Sequence, residues 1–175
     1  MGETWTPFGF ADFKYYENTK KLKPADGAFI YFNNEWATEK VSEIINTDPW
    51  AVLYAFLARG EEKCDIKTKV PKGMTIAFGS LLFGKYASAR DAGNIAAGIV
   101  NQRSNWPSFL IDYGFGVYNM AGNNVRNSFE IIKIDMTLFL MNISMGTNMM
   151  LYRADHGEEK LSKAGIEVGK KNKLR

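Results

Sequence analysis

Between Ala87 and Arg103 the chain carries Ala89, Ala92, Gly93, Ala96, Ala97 and Gly98 in a stretch of helical composition. Glycine and alanine bring almost no side chain of their own, and protein interiors leave few voids. A helix built this way therefore implies close approach by another helix or by a ligand. The rest of the chain has to supply that neighbour. A length of 175 residues suits one domain, and 14% aromatic residues provide a real core without any disulfide or metal staple.

Apolar periodicity predicts a mainly α, compact single-domain fold. Phe29, Phe32, Trp36, Val41, Ile44 and Ile45 recur near the helical period, which predicts a helix over 28–46. Asp48-Pro49 suits a helix start, giving a short helix over 49–59 closed by Gly60. Residues 61–72 alternate and read as a short strand or extended loop. A turn at Pro71-Lys72-Gly73 and a second strand at 74–78 would make a small β-hairpin near residues 64–78. Further helices are expected over 87–103 and 109–120, with 121–127 a polar loop. The very apolar 129–145 reads as a central buried helix, its β-branched start leaving a strand open. Residues 146–156 read as irregular, and 157–170 as a last amphipathic helix. Residues 1–27 form an aromatic-rich arm expected to pack on the body, 28–170 the main domain, and 171–175 a basic tail.

Charge is uneven. Up to Asp65 there are 7 basic and 11 acidic residues, net −4; from Ile66 onward there are 15 and 8, net +7. The basic excess suits attraction to a polyanion such as nucleic acid or an anionic envelope, although Lys170 to Arg175 also reads as a solvated terminus. Cys64 is the only cysteine and His156 the only histidine. An intramolecular disulfide and a zinc site needing two histidines are thereby excluded. Cys64 is expected to behave as a small buried hydrophobe, and the methionines from Met136 to Met150 as core filler. The longest apolar run, 131–151, is broken by Lys133, Asp135, Asn142 and Asn148, so no transmembrane segment is expected. The first residues lack a basic patch followed by an apolar run, so no standard signal peptide is expected either.

Three polar clusters could carry chemistry. In 61–67, Asp65 and Lys67 share a side if the segment is extended, and the lysine would hold the carboxylate ionised; a solvated edge strand is the alternative. Asp91 and Asn94 stand three apart on one helical face beside the bare surface of Ala97 and Gly98. That arrangement suits a pocket wall, or else an N-cap at Asp91 followed by close helix packing. In 153–159, Asp155, Glu158 and Glu159 suit the start of a helix through its dipole alone, and His156 beside them could shuttle a proton.

In this order the clusters resemble the bacterial polymorphic toxin type 44 family, over roughly residues 30–170. Asn33 to Ile45 is similar to the family's early helix. Gly60 to Lys67 resembles its Gly-rich stop and Trp-Asp-His/Ile-Lys segment, with Cys64 in place of the tryptophan and Asp65-Ile66-Lys67 intact. Asp91 and Asn94-Ile95-Ala96-Ala97-Gly98 resemble its Asp and Asn-Ile-His-Tyr-Gly stretch, with Ala96 where the histidine stands. Gly157-Glu158-Glu159 and Gly165-Ile166 resemble its Gly-Asp-Asp turn and the Gly-Ile pair of the helix after it.

The resemblance implies a small, mostly helical toxin domain of secreted antibacterial effectors, a hydrolase cleaving RNA. Asp91 would act as base or orient water, Lys67 would face the phosphate, and Asp65 and Glu158 would position Lys67 or bind a divalent cation. Asn94 belongs to the same motif, and His156 would supply the missing imidazole. The implied partners are RNA, a cognate immunity protein and a secretion-system delivery protein. The protein would be secreted or injected into a target bacterium, and cytoplasmic in the producer before export. The family's upstream delivery domains find no room in this length, so an excised module or a stand-alone effector is expected. Two alternatives stay open. A peptidoglycan glycosidase needs two carboxylates across a sugar cleft and no histidine. A non-enzymatic binding or immunity-type protein would disperse the motifs and expose an apolar patch.

Overall fold

The computed structural model describes residues 3–5, 13–16, 21–24, 29–47, 58, 62–74, 78–104, 106–122, 124–141, 148–153 and 160–171. The chain is mainly helical, with two small sheets among the described residues, one of two strands and one of three. Its strands are β1 (Phe13–Tyr16), β2 (Lys21–Pro24), β3 (Phe29–Ile30), β4 (Phe78–Leu82) and β5 (Lys85–Ser88). Its helices are α1 (Trp36–Thr47), α2 (Ala89–Arg103), α3 (Ser108–Met120), α4 (Val125–Met141), α5 (148–153) and α6 (Lys160–Lys171), with a 3-10 turn at Ile66–Thr68.

The small-residue helix is the centre of the molecule. Ser88 starts α2 by accepting the Asp91 amide proton on its hydroxyl at 3.0 Å, a serine N-cap. Asp91 is therefore not the cap. From Asn94 to Asn101 every residue of α2 is buried. Around it pack α1 through Val41 and Ile44, the 3-10 turn through Ile66, β4 through Leu82, and α6 through Ile166.

Close approach explains the composition of α2. A Cβ on Gly98 would fall on the Ile166 carbonyl and 2.9 Å from the Gly169 Cα; a Cβ on Gly169 would fall on the Ile95 carbonyl. The two backbones touch, so only glycine fits at either position. The neighbour implied by Ala89 to Gly98 is thus the last helix, α6.

Among the described residues the strands form two antiparallel pairs and one parallel pair. β1 pairs with β2, Phe13 opposite Pro24. β3 runs parallel to β4, and β4 antiparallel to β5, with Leu82 opposite Lys85. Thr4 adds a parallel bridge to Tyr86 at the outer edge, and the Trp5 indole donates to the Leu82 carbonyl at 2.5 Å. The β4–β5 hairpin turns on Phe83 and Gly84, both at positive φ (48° and 85°), the pattern of a type I′ turn. The hairpin therefore lies at 78–88, immediately before α2. Residues 66–68, expected to be extended, wind instead into the 3-10 turn.

Further expectations change. The predicted helix over 28–46 starts only at Trp36, because residues 29–30 are taken into the sheet and Asn34 Oδ1 accepts the Trp36 amide at 3.0 Å. The apolar stretch expected as the buried centre is α4, and its burial is confined to Ser128 and Asp135. Phe129, Met136, Leu140 and Met141 are between 43% and 80% exposed. The 121–127 loop ends early, at the start of α4, and residues 148–153 are helical rather than irregular. The helix expected over 49–59 lies outside the described residues except Ala58. No helix among the described residues is long and apolar enough to cross a membrane.

Candidate functional site

Asp65 is buried and caps the 3-10 turn, its Oδ1 accepting the Lys67 amide proton at 3.1 Å. Its own carbonyl accepts from the Thr68 hydroxyl at 3.3 Å. The carboxylate thus shapes the turn that carries Lys67, whose side chain is exposed. The turn lies against α2: a Cβ on Gly93 would sit 3.9 Å from Lys67 Cε and 4.0 Å from Ile66 Cβ. Cys64, at 2% exposure, packs in the core. Burial pushes its thiol up, offset in part by Lys69 and Lys63, so it is a filler and not a nucleophile.

Helix geometry separates Lys67 from Asp91. At about 100° per residue, Gly93 lies about 200° from Asp91 around α2, and Asn94 falls between them. Asp91 and Asn94 border α6. A Cβ on Gly165 would sit 2.7 Å from Asn94 Cβ and 3.5 Å from the Asp91 carbonyl oxygen. Asp91 is 2% exposed and Asn94 8%. Asn94 is thus the residue at the seam, with the Lys67 turn on one side and α6 on the other. Its Nδ2 is buried and finds no hydrogen-bond partner among the described residues. An amide N–H left unmatched in the interior costs stability.

Segments far apart in sequence are therefore brought together as follows. The Asp65–Lys67 turn, the Asp91–Gly98 stretch and the Gly165–Ile166 pair all meet on α2. Lys67 and Asp91 approach it on different faces, with Asn94 between. Glu158 and His156 lie outside the described residues. A divalent cation finds no ready-made cage in this part of the chain: among the described residues no three His, Cys, Asp or Glu side chains cluster, and Asp65 is engaged on a backbone amide.

Two charge clusters, one buried and one partly exposed, were not singled out from sequence. Asp135, fully buried, accepts from the Tyr113 hydroxyl at 2.8 Å and pairs with Arg153, Nε to Oδ2 at 3.4 Å. This joins α3, α4 and α5. A lone aspartate inside an apolar helix is the signal that could have announced it, since a buried charge needs a partner. In the second cluster Lys170 reaches from α6 to both oxygens of Asp112 on α3, at 2.7 and 2.8 Å, and to Glu167 at 3.0 Å. Asn101 of α2 donates to the same carboxylate at 3.3 Å. Lys170, read as part of a solvated basic terminus, is instead tied down.

No family model, no curated protein and no solved structure matches the chain.

Proposed function

We propose that the chain is a toxin-type hydrolase that cleaves RNA phosphodiester bonds at α2, where Asp91 and Asn94 border α6 and Lys67 lies on the face beyond Asn94. The observation that carries this reading is the buried Asn94 Nδ2, unmatched among the described residues, placed one helical turn from a carboxylate and beside the turn that bears an exposed lysine. Phosphodiester cleavage needs a base, donors to the phosphate oxygens and balancing positive charge. Asp91 takes the proton of the attacking hydroxyl. The Asn94 amide donates to a non-bridging oxygen, and the Lys67 ammonium balances the charge gathering on the phosphate. Asp65 is a positioning residue that fixes the turn under Lys67. His156 remains the proposed source of the missing imidazole, and Glu158 a proposed partner that positions Lys67 or binds a divalent cation. The basic excess from Ile66 onward, net +7, draws in a polyanion.

As the resemblance implies, the proposed setting is antibacterial, with delivery into a target cell and an immunity protein in the producer. The test is digestion of purified RNA, DNA and peptidoglycan, with and without chelator, by the wild type and Asp91→Asn. RNA cleavage lost in the variant supports the assignment. Cleavage of peptidoglycan alone would replace it with the glycosidase. A second reading, a binding module, is favoured by one observation: the exposed apolar side chains of α4, Phe129, Met136, Leu140 and Met141. It predicts no cleavage of any of the three substrates.

A further inference from the structure

We infer that the lysine-bearing loop 62–74 and the exposed aromatic pair Tyr31 and Phe32 form one strip that binds single-stranded RNA, the lysines on phosphates and the rings on unpaired bases. The inference rests on the reading of the site just given and names the form of its substrate. Lys63, Lys67, Lys69 and Lys72 fall within ten residues of chain, and all four are exposed. Elsewhere Lys40, Lys85, Lys133 and Lys170 are paired with Glu43, Glu3, Glu130 and Asp112. Among the described residues the loop's four have no such carboxylate partner. Lys69 donates to the Lys63 carbonyl, which leaves its charge uncancelled, and the buried Asp65 is engaged on the Lys67 amide.

The loop is folded, so the charges are held in place. Cys64 and Ile66 anchor it in the core. A second turn closes where the Met74 amide donates to the Pro71 carbonyl at 2.9 Å, with Gly73 at φ 86°. One end of the loop lies on α2, where a Cβ on Gly93 would sit 3.9 Å from Lys67 Cε. The other end meets the residues that follow β3: the Tyr31 hydroxyl donates to Met74 Sδ at 2.9 Å.

Tyr31 is 37% and Phe32 64% exposed, and each ring is braced from behind. Tyr31 leans on Phe78 at 4.7 Å between ring centroids, and Phe32 meets Tyr86 edge-on at 5.9 Å. A braced, outward ring is a platform for a base, and stacking needs a base free of its complement. Lysines beside such platforms are the arrangement that tracks a single strand. Duplex RNA would meet the lysines and leave the rings unused. A bilayer would also draw the lysines, but it takes up apolar side chains that sink into the headgroup region, whereas Tyr31 is pinned at both its hydroxyl and its ring.

The experiment measures binding apart from cleavage, by fluorescence anisotropy with a single-stranded 2′-O-methyl oligoribonucleotide of about 12 nucleotides, which offers no 2′-hydroxyl to attack. It compares wild type, Lys63→Gln/Lys69→Gln/Lys72→Gln and Phe32→Ala across a salt series, with Lys67 left intact. The triple variant should bind at least ten-fold more weakly and lower the slope of log affinity against log salt by about 2, at about 0.7 for each lost phosphate contact. Phe32→Ala should weaken binding about ten-fold with the slope unchanged, and a duplex of the same length should bind wild type at least ten-fold more weakly than the single strand. If the triple variant fails to fold, Lys63→Gln/Lys72→Gln keeps the Lys69 contact and should still lower the slope by about 1.4. Unchanged affinity in the lysine variants, equal binding of duplex and single strand, or capture by phosphatidylserine vesicles in place of the oligonucleotide overturns the strip. If binding is as expected but unmodified RNA is not cleaved, the nuclease reading fails and the strip stands. Cleavage of RNA by the triple variant with KM unaltered overturns the strip and leaves that reading in place.

Discussion

The hydroxyl of Tyr113 donates to Oδ2 of Asp135 across 2.8 Å, while the Arg153 guanidinium approaches the same carboxylate from α5. A fully buried carboxylate is thus met by one neutral and one charged donor. Removing a partner from such a pair leaves the remainder uncompensated, which is more damaging than the pair is stabilising. Asp135→Ala is expected to destabilise the fold by about 3 kcal/mol, and Tyr113→Phe by about 1 kcal/mol because Arg153 remains. Urea unfolding of the two variants checks the order; equal losses would show that Arg153 contributes nothing.

The glycines of the α2–α6 seam give a second test. A methyl at Gly98 meets the backbone of Ile166, which cannot swing aside as a side-chain tip would. Gly98→Ala is expected to cost about 3 kcal/mol, the upper part of the overpacking range, and Gly169→Ala the same. Gly114, where a Cβ would meet nothing within 4 Å, is the control: Gly114→Ala lies inside α3 and should gain about 1 kcal/mol from helix propensity. Thermal unfolding distinguishes the three, and a stable Gly98→Ala would mean the helices are not in contact there.

How much of this could be read in the chain depends on which physical signal each residue emits. The α2 stretch was legible because small residues on every side of a helix have few other uses, and its partner proved to be a helix carrying Gly165 and Gly169. The limits of α3 were also legible, since Pro107 blocks its start and the Phe109–Met120 composition is helical throughout. The outward face of α4 was not. Phe129, Met136 and Leu140 read as core because composition reports hydrophobicity and not direction, and the side turned inward is the one bearing Asp135. Residues 29–30 joined a sheet because their pairing partner, Phe78-Gly79, is distant, and such pairing leaves no mark on local periodicity. At the site, the neighbourhood of Asp91 and Asn94 was legible. The angular separation of Lys67 from Asp91 was not, because it depends on where the 3-10 turn docks on α2.

The β4–β5 turn isolates a backbone effect. Gly84 sits at φ 85°, and a Cβ there would meet nothing within 4 Å. Any loss in Gly84→Ala is therefore conformational, about 1 kcal/mol, while Gly84→Asn should lose less because asparagine tolerates the left-handed region. Phe83 stands at φ 48° and packs against the core. Phe83→Asn would suit the turn better but forfeit that packing, so a net loss is expected. Denaturant midpoints for the three variants test this; a gain in Phe83→Asn would show that its ring contributes less than its backbone costs.

Asn94 separates stability from function. Its buried Nδ2 has no partner among the described residues, so Asn94→Ala removes an unsatisfied donor and should leave the melting temperature unchanged or raised. The same substitution removes the proposed contact to phosphate and should lower RNA cleavage about 100-fold, the scale of losing one preorganised donor. A fall in stability with cleavage intact would make Asn94 a structural residue and remove it from the site.

Alkaline pH should loosen the fold through Tyr113 and Lys170. Burial, and next the hydrogen bond to Asp135, push the Tyr113 hydroxyl well above its ordinary value. For Lys170 burial works downward, but the hydrogen bonds to Asp112 and Glu167 outweigh it and the net shift is up. Both groups hold their proton more tightly folded than unfolded. Below about pH 10 both states are protonated and the contribution is complete. Above that the unfolded chain releases its protons first, so stability falls by at most about 1.4 kcal/mol per pH unit and group until the folded values are passed. Urea midpoints at pH 8, 9.5 and 11 should therefore drop across the last interval. Tyr113→Phe and Lys170→Met, each weaker at pH 8, should show a shallower drop, because each has already lost one of the two titrating groups. An equally steep decline in both variants would assign the alkaline transition to other groups.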